Sequence, residues 1–130
     1  MTVPLTDASP AFYHAAADAL DEGFKVINAG NPAKRGAVAQ LFLNGLGAVT
    51  NQPASGSPAS AANLARTQQT PVVTIGGQPA QVVFSGLAPG FPALYQVNVV
   101  VPQGVTPGSA VPVTVSVGGK PSKEATLPVQ

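Results

Sequence analysis

The 130-residue chain contains one imidazole, that of His14. Nucleophilic catalysis needs a nucleophile, a base and an orienting group within hydrogen-bond reach of one another. The nearest carboxylate before His14 is that of Asp7, which lies in a terminal segment flanked by prolines, and no Gly-x-Ser-x-Gly nucleophile elbow occurs. The sequence therefore predicts an exposed or edge-strand histidine, and a protein that is not an enzyme.

The acidic side chains gather near the N-terminus. Four of the five lie between Asp7 and Glu22, so a pair facing each other across a glycosidase cleft is not expected. Asp18, Asp21 and Glu22 could offer oxygens to Ca²⁺, but their spacing matches neither an EF-hand nor a Gly/Asp nonapeptide repeat. We interpret these residues as a solvated turn, and we predict no metal and no cofactor.

Seven aromatic residues are too few to supply both a core and a wide sugar-stacking platform. Tyr95 follows a turn and begins a strand, where a tyrosine often packs its ring and hydrogen-bonds backbone through its hydroxyl. We therefore expect a structural role for Tyr95. Phe91, between a glycine and a proline, and Tyr13 are the candidates for surface contact.

Composition excludes several classes of partner. Charged residues make up 8% of the chain, the net charge is +1, and Lys34-Arg35 is the only adjacent basic pair. Nucleic-acid binding and polybasic membrane binding both need clustered Lys and Arg, so neither is expected. No cysteine is present, which excludes a disulfide framework and a thiolate metal site.

The start of the chain has no charged segment followed by an apolar one, and no apolar run reaches the roughly 18–20 residues that span a bilayer. Low charge, with Ser, Thr, Asn and Gln as the polar surface, is common in extracellular β-proteins. We therefore expect an extracellular or cell-surface location without membrane insertion, and a signal peptide farther upstream in a longer parent chain.

The second half of the sequence predicts antiparallel strands. Val111, Val113, Val115 and Val117 alternate with other residues, as in a strand with one buried face. Pro112 has no N–H, so the start of this strand should lie at a sheet edge. Two Gly-Gly pairs predict hairpin turns, and Ala88-Pro89-Gly90 predicts a type II turn. The predicted segments are Val72 to Ile75, Gly76-Gly77, Gln81 to Phe84, Tyr95 to Val101, Val111 to Val117, Gly118-Gly119 and Glu124 to Val129.

The first half of the sequence is harder to interpret. Residues 37–43 predict a buried strand, 52–63 a long Ala/Ser/Pro/Gly loop, and 1–9 an N-terminal arm with a short strand at Thr2–Thr6. Within residues 10–22, Ser9 as N-cap, Pro10 and an alanine run favour a helix on propensity alone. The segment 24–27, which follows Asp21-Glu22-Gly23, also fits the second arm of a hairpin.

Six segments share their order and spacing with one family. They are Asn31-Pro32-Ala33-Lys34-Arg35-Gly36, Asn44-Gly45-Leu46-Gly47, Pro71 to Gly77, Ala88-Pro89-Gly90, Leu94 to Val99 and Val113 to Gly119. From about residue 24 to the end, the chain resembles the C-terminal domain of large secreted proteins of acidobacteria, sometimes called the Solibacter C-terminal domain. The resemblance implies an immunoglobulin-like sandwich with no known activity. It also implies a strand pair over 15–27, which favours the hairpin, with a short helix as the alternative.

These observations predict one domain over residues 1–130, an all-β, immunoglobulin-like antiparallel sandwich of seven to nine strands. We expect a non-catalytic structural or adhesive module from the C-terminal end of a larger exported protein. Its partners would be proteins, either another copy or neighbouring domains of the parent, and self-association would run through edge strands. A carbohydrate-binding module, with a glycan as partner, and a C-terminal export or sorting domain are the alternatives.

Overall fold

In the computed structural model, described here for residues 10–47, 49, 66–88 and 94–130, the chain forms eight β-strands. They are β1 (Asp18–Leu20), β2 (Val38–Leu43), β3 (Val72–Ile75), β4 (Gln78–Leu87), β5 (Tyr95–Val100), β6 (Gly108–Val117), β7 (Lys120–Pro121) and β8 (Ala125–Val129). The described residues contain no helix, and hence no helix that is long and apolar enough to span a membrane.

The strands form one curled antiparallel sheet in the order β1-β2-β5-β4-β3-β6-β7, with β8 also paired to β6. The sheet curls at β4, whose first residues pair with β3 and whose later residues pair with β5. A register shift between Val82 and Phe84 marks the bend, as expected for a bulge that re-aims a strand. The two halves face each other, and the all-β sandwich-like fold predicted from the sequence is confirmed, with eight strands.

Alternating side chains build the core between the two halves. Val111, Val113, Val115 and Val117 of β6 are all buried, as the sequence predicted. Leu41 of β2 is fully buried on the opposite half of the sheet. Each such side chain contributes about 1.5–3 kcal/mol by leaving water, so this core is the main source of stability.

Both Gly-Gly turns are confirmed. Gly76 and Gly77 have φ of 59° and 77° and join β3 to β4, and Gly118 and Gly119 have φ of 58° and 81° and join β6 to β7. Two successive positive φ angles are the signature of the tight hairpin turn that glycine permits. The predicted turn at 88–90 lies partly outside the described residues, and the arm 1–9 and the loop 52–63 lie wholly outside them.

The start of β6 has a partner strand on one side only, as Pro112 predicted. Residues 108–112 pair with β8, whereas β3 pairs with β6 no nearer its start than Val113. Pro112 pairs with Thr126 of β8, and its carbonyl accepts from the Gly76 N–H in the turn that follows β3. Pro112 is tolerated because β3 has already ended at this level, so no ladder bond is lost.

The N-terminal segment forms a hairpin, and the helix alternative is wrong. Residues 15–17 run parallel to β8, where the Ala17 N–H donates to Thr126 O, and β1 then pairs with β2. Ala17 and Ala19 are buried while Ala16 is exposed, which is the period of a strand. Helix propensity is a weak preference, and here two neighbouring strands supply backbone partners and burial that override it.

Tyr95 has the structural role that the sequence predicted. Its ring packs against the core, and its hydroxyl donates to Gly47 O at 2.6 Å. Burial raises the pKa of this hydroxyl above its ordinary value of 10.0. The tyrosine therefore ties the start of β5 to the chain that leaves β2.

Candidate functional site

The most elaborate local structure in the described chain is the hairpin of residues 18–27, which we call the contact hairpin. It consists of β1, a turn at 21–24 and a return arm at 25–27. The Asp21 N–H donates to Lys25 O at 2.8 Å, and the Phe24 N–H donates to Asp21 O at 3.0 Å. Farther along, the Ile27 N–H donates to Ala19 O at 3.0 Å. The return arm therefore covers the outer edge of β1.

The carboxylate of Asp21 organises the turn. Its Oδ1 accepts from the backbone N–H groups of Gly23 at 2.8 Å and Lys25 at 3.0 Å, and its Oδ2 accepts from Asn31 Nδ2 at 2.9 Å. The Asn31 side-chain bond, followed by the Lys25 backbone bond, holds the pKa of Asp21 below its ordinary value of 3.8. Asn31 also donates to Val26 O at 3.1 Å, which fixes the return arm to the same network.

A second side chain supports the turn from inside the sheet. Gln40, buried in β2, donates through Nε2 to Asp21 O at 2.8 Å and accepts from Gln96 Nε2 at 3.0 Å. Gln96 donates in turn to Asn98 Oδ1 at 2.8 Å. The backbone of the turn is therefore fastened to an amide ladder that crosses β2 and β5.

The result of this network is the placement of Phe24. Among the described non-glycine residues only Phe24 has a positive φ, 63°, and its side chain is 73% exposed. A bulky residue in the left-handed region is strained, and such strain persists only where surrounding bonds impose it. The surrounding bonds are those of Asp21, and they hold an aromatic ring out in solvent.

An apolar groove of about 530 Å³, which we call the edge groove, lies beside the contact hairpin. Its lining includes Ala16, Ala17, Leu20, Val26, Phe42 and Leu94. Val26, one of the lining residues, is 59% exposed and stands two residues from Phe24 in the same hairpin. Alanine side chains leave the groove open, because a methyl group fills little of the space above a strand.

The structure distributes the candidate metal ligands among three different partners. Asp18 Oδ2 lies 2.8 Å from His14 Nδ1, the Asp21 oxygens are bonded within the turn, and Glu22 Oε1 accepts from the Val38 N–H at 2.8 Å. Across the described ranges, no three carboxylate or imidazole groups are placed to share a metal ion.

The remaining sequence-predicted residues lie in different places. His14 is exposed, as predicted, and it contacts Asp18 at the rim of the edge groove. Tyr13 is 49% exposed, and Phe91 lies outside the described residues.

Phe24 is an exposed aromatic residue that sequence reasoning did not single out. Glycine is the residue expected at a positive φ, so the sequence favours Gly23 for that angle. The structure has the positive φ at Phe24, the next residue. The available signal was the Asp at the start of the turn, whose carboxylate caps the next amides. That signal predicts the turn, but it does not predict which side chain the turn holds in solvent.

Comparison of the chain with protein-family models, with curated proteins and with solved structures gave no match.

Proposed function

We propose that this domain is a non-catalytic interaction module that contacts a protein through the contact hairpin and the edge groove. The observation that carries the proposal is the exposed, positive-φ Phe24. An aromatic ring in solvent gains free energy when a partner covers it, and aromatic anchors dominate the energetics of protein interfaces. The strain at Phe24 gives no benefit to the isolated fold, which is why a contact role is the better account.

A protein partner is favoured over a glycan because of the polar groups beside Phe24. Sugar recognition requires free donors and acceptors next to an aromatic face. Both donors of the Asn31 amide and both carboxylate oxygens of Asp21 are already bonded within the turn. The edge groove on the same hairpin adds an apolar lining, which suits protein side chains.

A non-catalytic role is supported by the surroundings of His14. The imidazole and its partner Asp18 are both well exposed, and no serine, threonine or lysine contact of His14 accompanies them among the described residues. Catalytic acid–base pairs are held in clefts that shift their protonation. Here the pair stands on an open rim.

We place the module in a larger exported bacterial protein, at an extracellular or cell-surface location. The support is the ordered set of motifs that resembles the acidobacterial C-terminal domain, together with a charged fraction of only 8%. A module in this position would join chains or domains of exported proteins rather than act on a substrate.

Photo-crosslinking tests the proposal. p-Benzoylphenylalanine is introduced at position 24 or, as a matched control, at position 72, where Val72 is 60% exposed on β3. The protein is irradiated on the surface of the producing cells, and adducts are identified by mass spectrometry. We expect a protein adduct from position 24 and none from position 72; adducts from both positions, or from neither, would contradict the proposal.

A further inference from the structure

We infer that the protein partner of this surface is a second copy of the same chain, with Phe24 of each copy inserted into the edge groove of the other. The inference rests on the proposed function and names the partner of that site. It makes the contact reciprocal, so that each copy supplies one ring and one groove.

The first argument is self-complementarity. A two-fold symmetric interface uses the same patch on both copies, so a projecting group and its receptor must lie together on that patch. Phe24 projects from the contact hairpin, and Val26, two residues later, lines the edge groove. Phe24 is not among the groove's lining residues, and at 73% exposure it does not fill its own groove.

The second argument is fit. The groove is open to solvent and offers about 530 Å³, several times the roughly 150 Å³ of a closed apolar cavity that holds a benzene ring. Phe42 and Leu94 give it apolar walls, and Ala16 and Ala17 keep it open. Inserting Phe24 would cover apolar surface on both sides of the contact.

The third argument is charge. Lys25 follows Phe24 directly on the projecting turn, and the carboxylate of Asp18 lies at the rim of the edge groove. Inserting Phe24 therefore brings a positive group of one copy towards a negative group of the other, twice in a symmetric pair. A net charge of +1 per chain leaves little repulsion between copies.

The contact is small compared with interfaces of roughly 1,200–2,000 Å² that hold stable complexes. We therefore expect an association that is weak in solution and strengthened where several copies are held on one surface, because tethering raises their effective concentration. This is the behaviour expected of an adhesive module on an exported protein.

Two substitutions separate the ring from the groove. Phe24→Ser removes the ring, and Ala16→Trp blocks the groove at an exposed position, so neither disturbs the core. The matched controls are Val72→Ser, which removes an exposed apolar side chain on β3, and Ala15→Trp, which adds the same bulk at an exposed residue outside the groove. Circular dichroism checks that each variant is folded at the temperature of the association measurement.

Sedimentation equilibrium over a concentration series measures self-association of the 130-residue chain. We expect a wild-type dimer, and at least about tenfold weaker association for Phe24→Ser and for Ala16→Trp, because each loses burial of two phenylalanine side chains. The two control variants should associate like wild type.

Mixing the two defective variants gives the decisive measurement. The Phe24→Ser chain keeps an open groove and the Ala16→Trp chain keeps its ring, so the mixture can form one of the two contacts. We expect the mixture to associate more tightly than either variant alone, detected with one variant carrying a mass tag. Insertion of the ring into the edge groove predicts this restoration, and a contact between two copies that does not pair ring with groove does not.

The remaining outcomes separate this inference from the proposed function. If Phe24→Ser weakens association but mixing restores nothing, insertion into the edge groove is wrong while contact through Phe24 stands. If wild type is monomeric throughout the series, the second copy is wrong as the partner. The crosslinking at position 24 then decides the proposed function independently.

Discussion

The backbone at position 24 gives the sharpest quantitative test of the structure. An L-residue in the left-handed region is strained by roughly 1–2 kcal/mol, whereas glycine is not. Glycine loses more chain entropy on folding, which costs about 0.5–1 kcal/mol relative to alanine. Since strain exceeds entropy at a φ of 63°, we expect Phe24→Gly to be more stable than Phe24→Ala by about 0.5–1 kcal/mol.

The wild-type protein is the reference for the stabilities of Phe24→Gly and Phe24→Ala. About a quarter of the Phe24 side chain is covered, and full burial of a phenylalanine is worth about 1.5–3 kcal/mol, so truncation to alanine should cost roughly 0.5 kcal/mol. The expected order of stability therefore places alanine lowest, with glycine close to wild type. At positions with a negative φ, an alanine variant is more stable than a glycine variant. The sign of the difference in unfolding free energy between Phe24→Gly and Phe24→Ala is therefore the test.

Urea unfolding followed by far-ultraviolet circular dichroism measures these differences, at concentrations low enough to keep the chain monomeric. Gly77→Ala calibrates the strain in the same protein, because Gly77 has a φ of 77° and a methyl group there meets no atom within 4 Å. The free energy of unfolding of Gly77→Ala should be about 0.5–1 kcal/mol lower than that of wild type, which is the expected difference between Phe24→Gly and Phe24→Ala with the opposite sign. If Phe24→Ala were at least as stable as Phe24→Gly, the positive φ would be refuted, together with the strain argument for a contact role.

Three further substitutions test the parts that position the hairpin and the core. Tyr95→Phe removes the 2.6 Å bond to Gly47 O, so it should cost about 1 kcal/mol in urea unfolding at neutral pH. Because the folded-state pKa of Tyr95 is raised, the stability it gives is present below pH 10.0 and is lost as pH rises through that pKa, and Tyr95→Phe should lack this alkaline loss. For Asp21 the pKa is lowered, so its contribution is present above pH 3.8 and is lost as pH falls through the folded-state pKa. The protection factors of the Gly23 and Lys25 amides, which correct for the intrinsic pH dependence of hydrogen exchange, should fall over this range, and in Asp21→Asn they should vary less with pH. Leu41→Ala, at a fully buried position of β2, should cost about 2–5 kcal/mol by the same urea measurement.

Each of these has a result that contradicts it. An unchanged alkaline limit in Tyr95→Phe would mean that another group controls stability there. If the Gly23 and Lys25 amides were equally sensitive to acid in wild type and in Asp21→Asn, the Asp21 carboxylate would not be what stabilises the turn. A cost below about 1 kcal/mol for Leu41→Ala would place that side chain outside a packed core.

The strand content of this protein follows from local sequence. The valine alternation of β6 and the two Gly-Gly turns specify strands and hairpins through side-chain period and backbone angle alone, and both are confirmed. Pro112 follows from the same reasoning only in part. A missing N–H demands an unpaired position, but that this position lies beyond the end of β3 depends on the neighbouring strand.

The N-terminal hairpin depends on contacts that are distant in sequence. Alanine and a good N-cap favour a helix locally, but residues 15–17 bond to β8 and β1 pairs with β2, and these backbone partners come from later parts of the chain. Such partners are more than 100 residues away in the case of Ala15 and Thr126, whose bond spans 111 positions. A local sequence pattern cannot predict these hydrogen bonds to distant strands.

The sequence by itself therefore determined the all-β class, the register of buried and exposed residues in the second half, and the lack of a charge cluster for nucleic acid. Tertiary structure decided how the turn that carries Phe24 is held. Asn31 and Gln40 reach Asp21 in this turn from two other segments of the chain. Convergence of this kind is a property of the folded chain, because hydrogen bonds between distant segments exist only once the strands have taken their places.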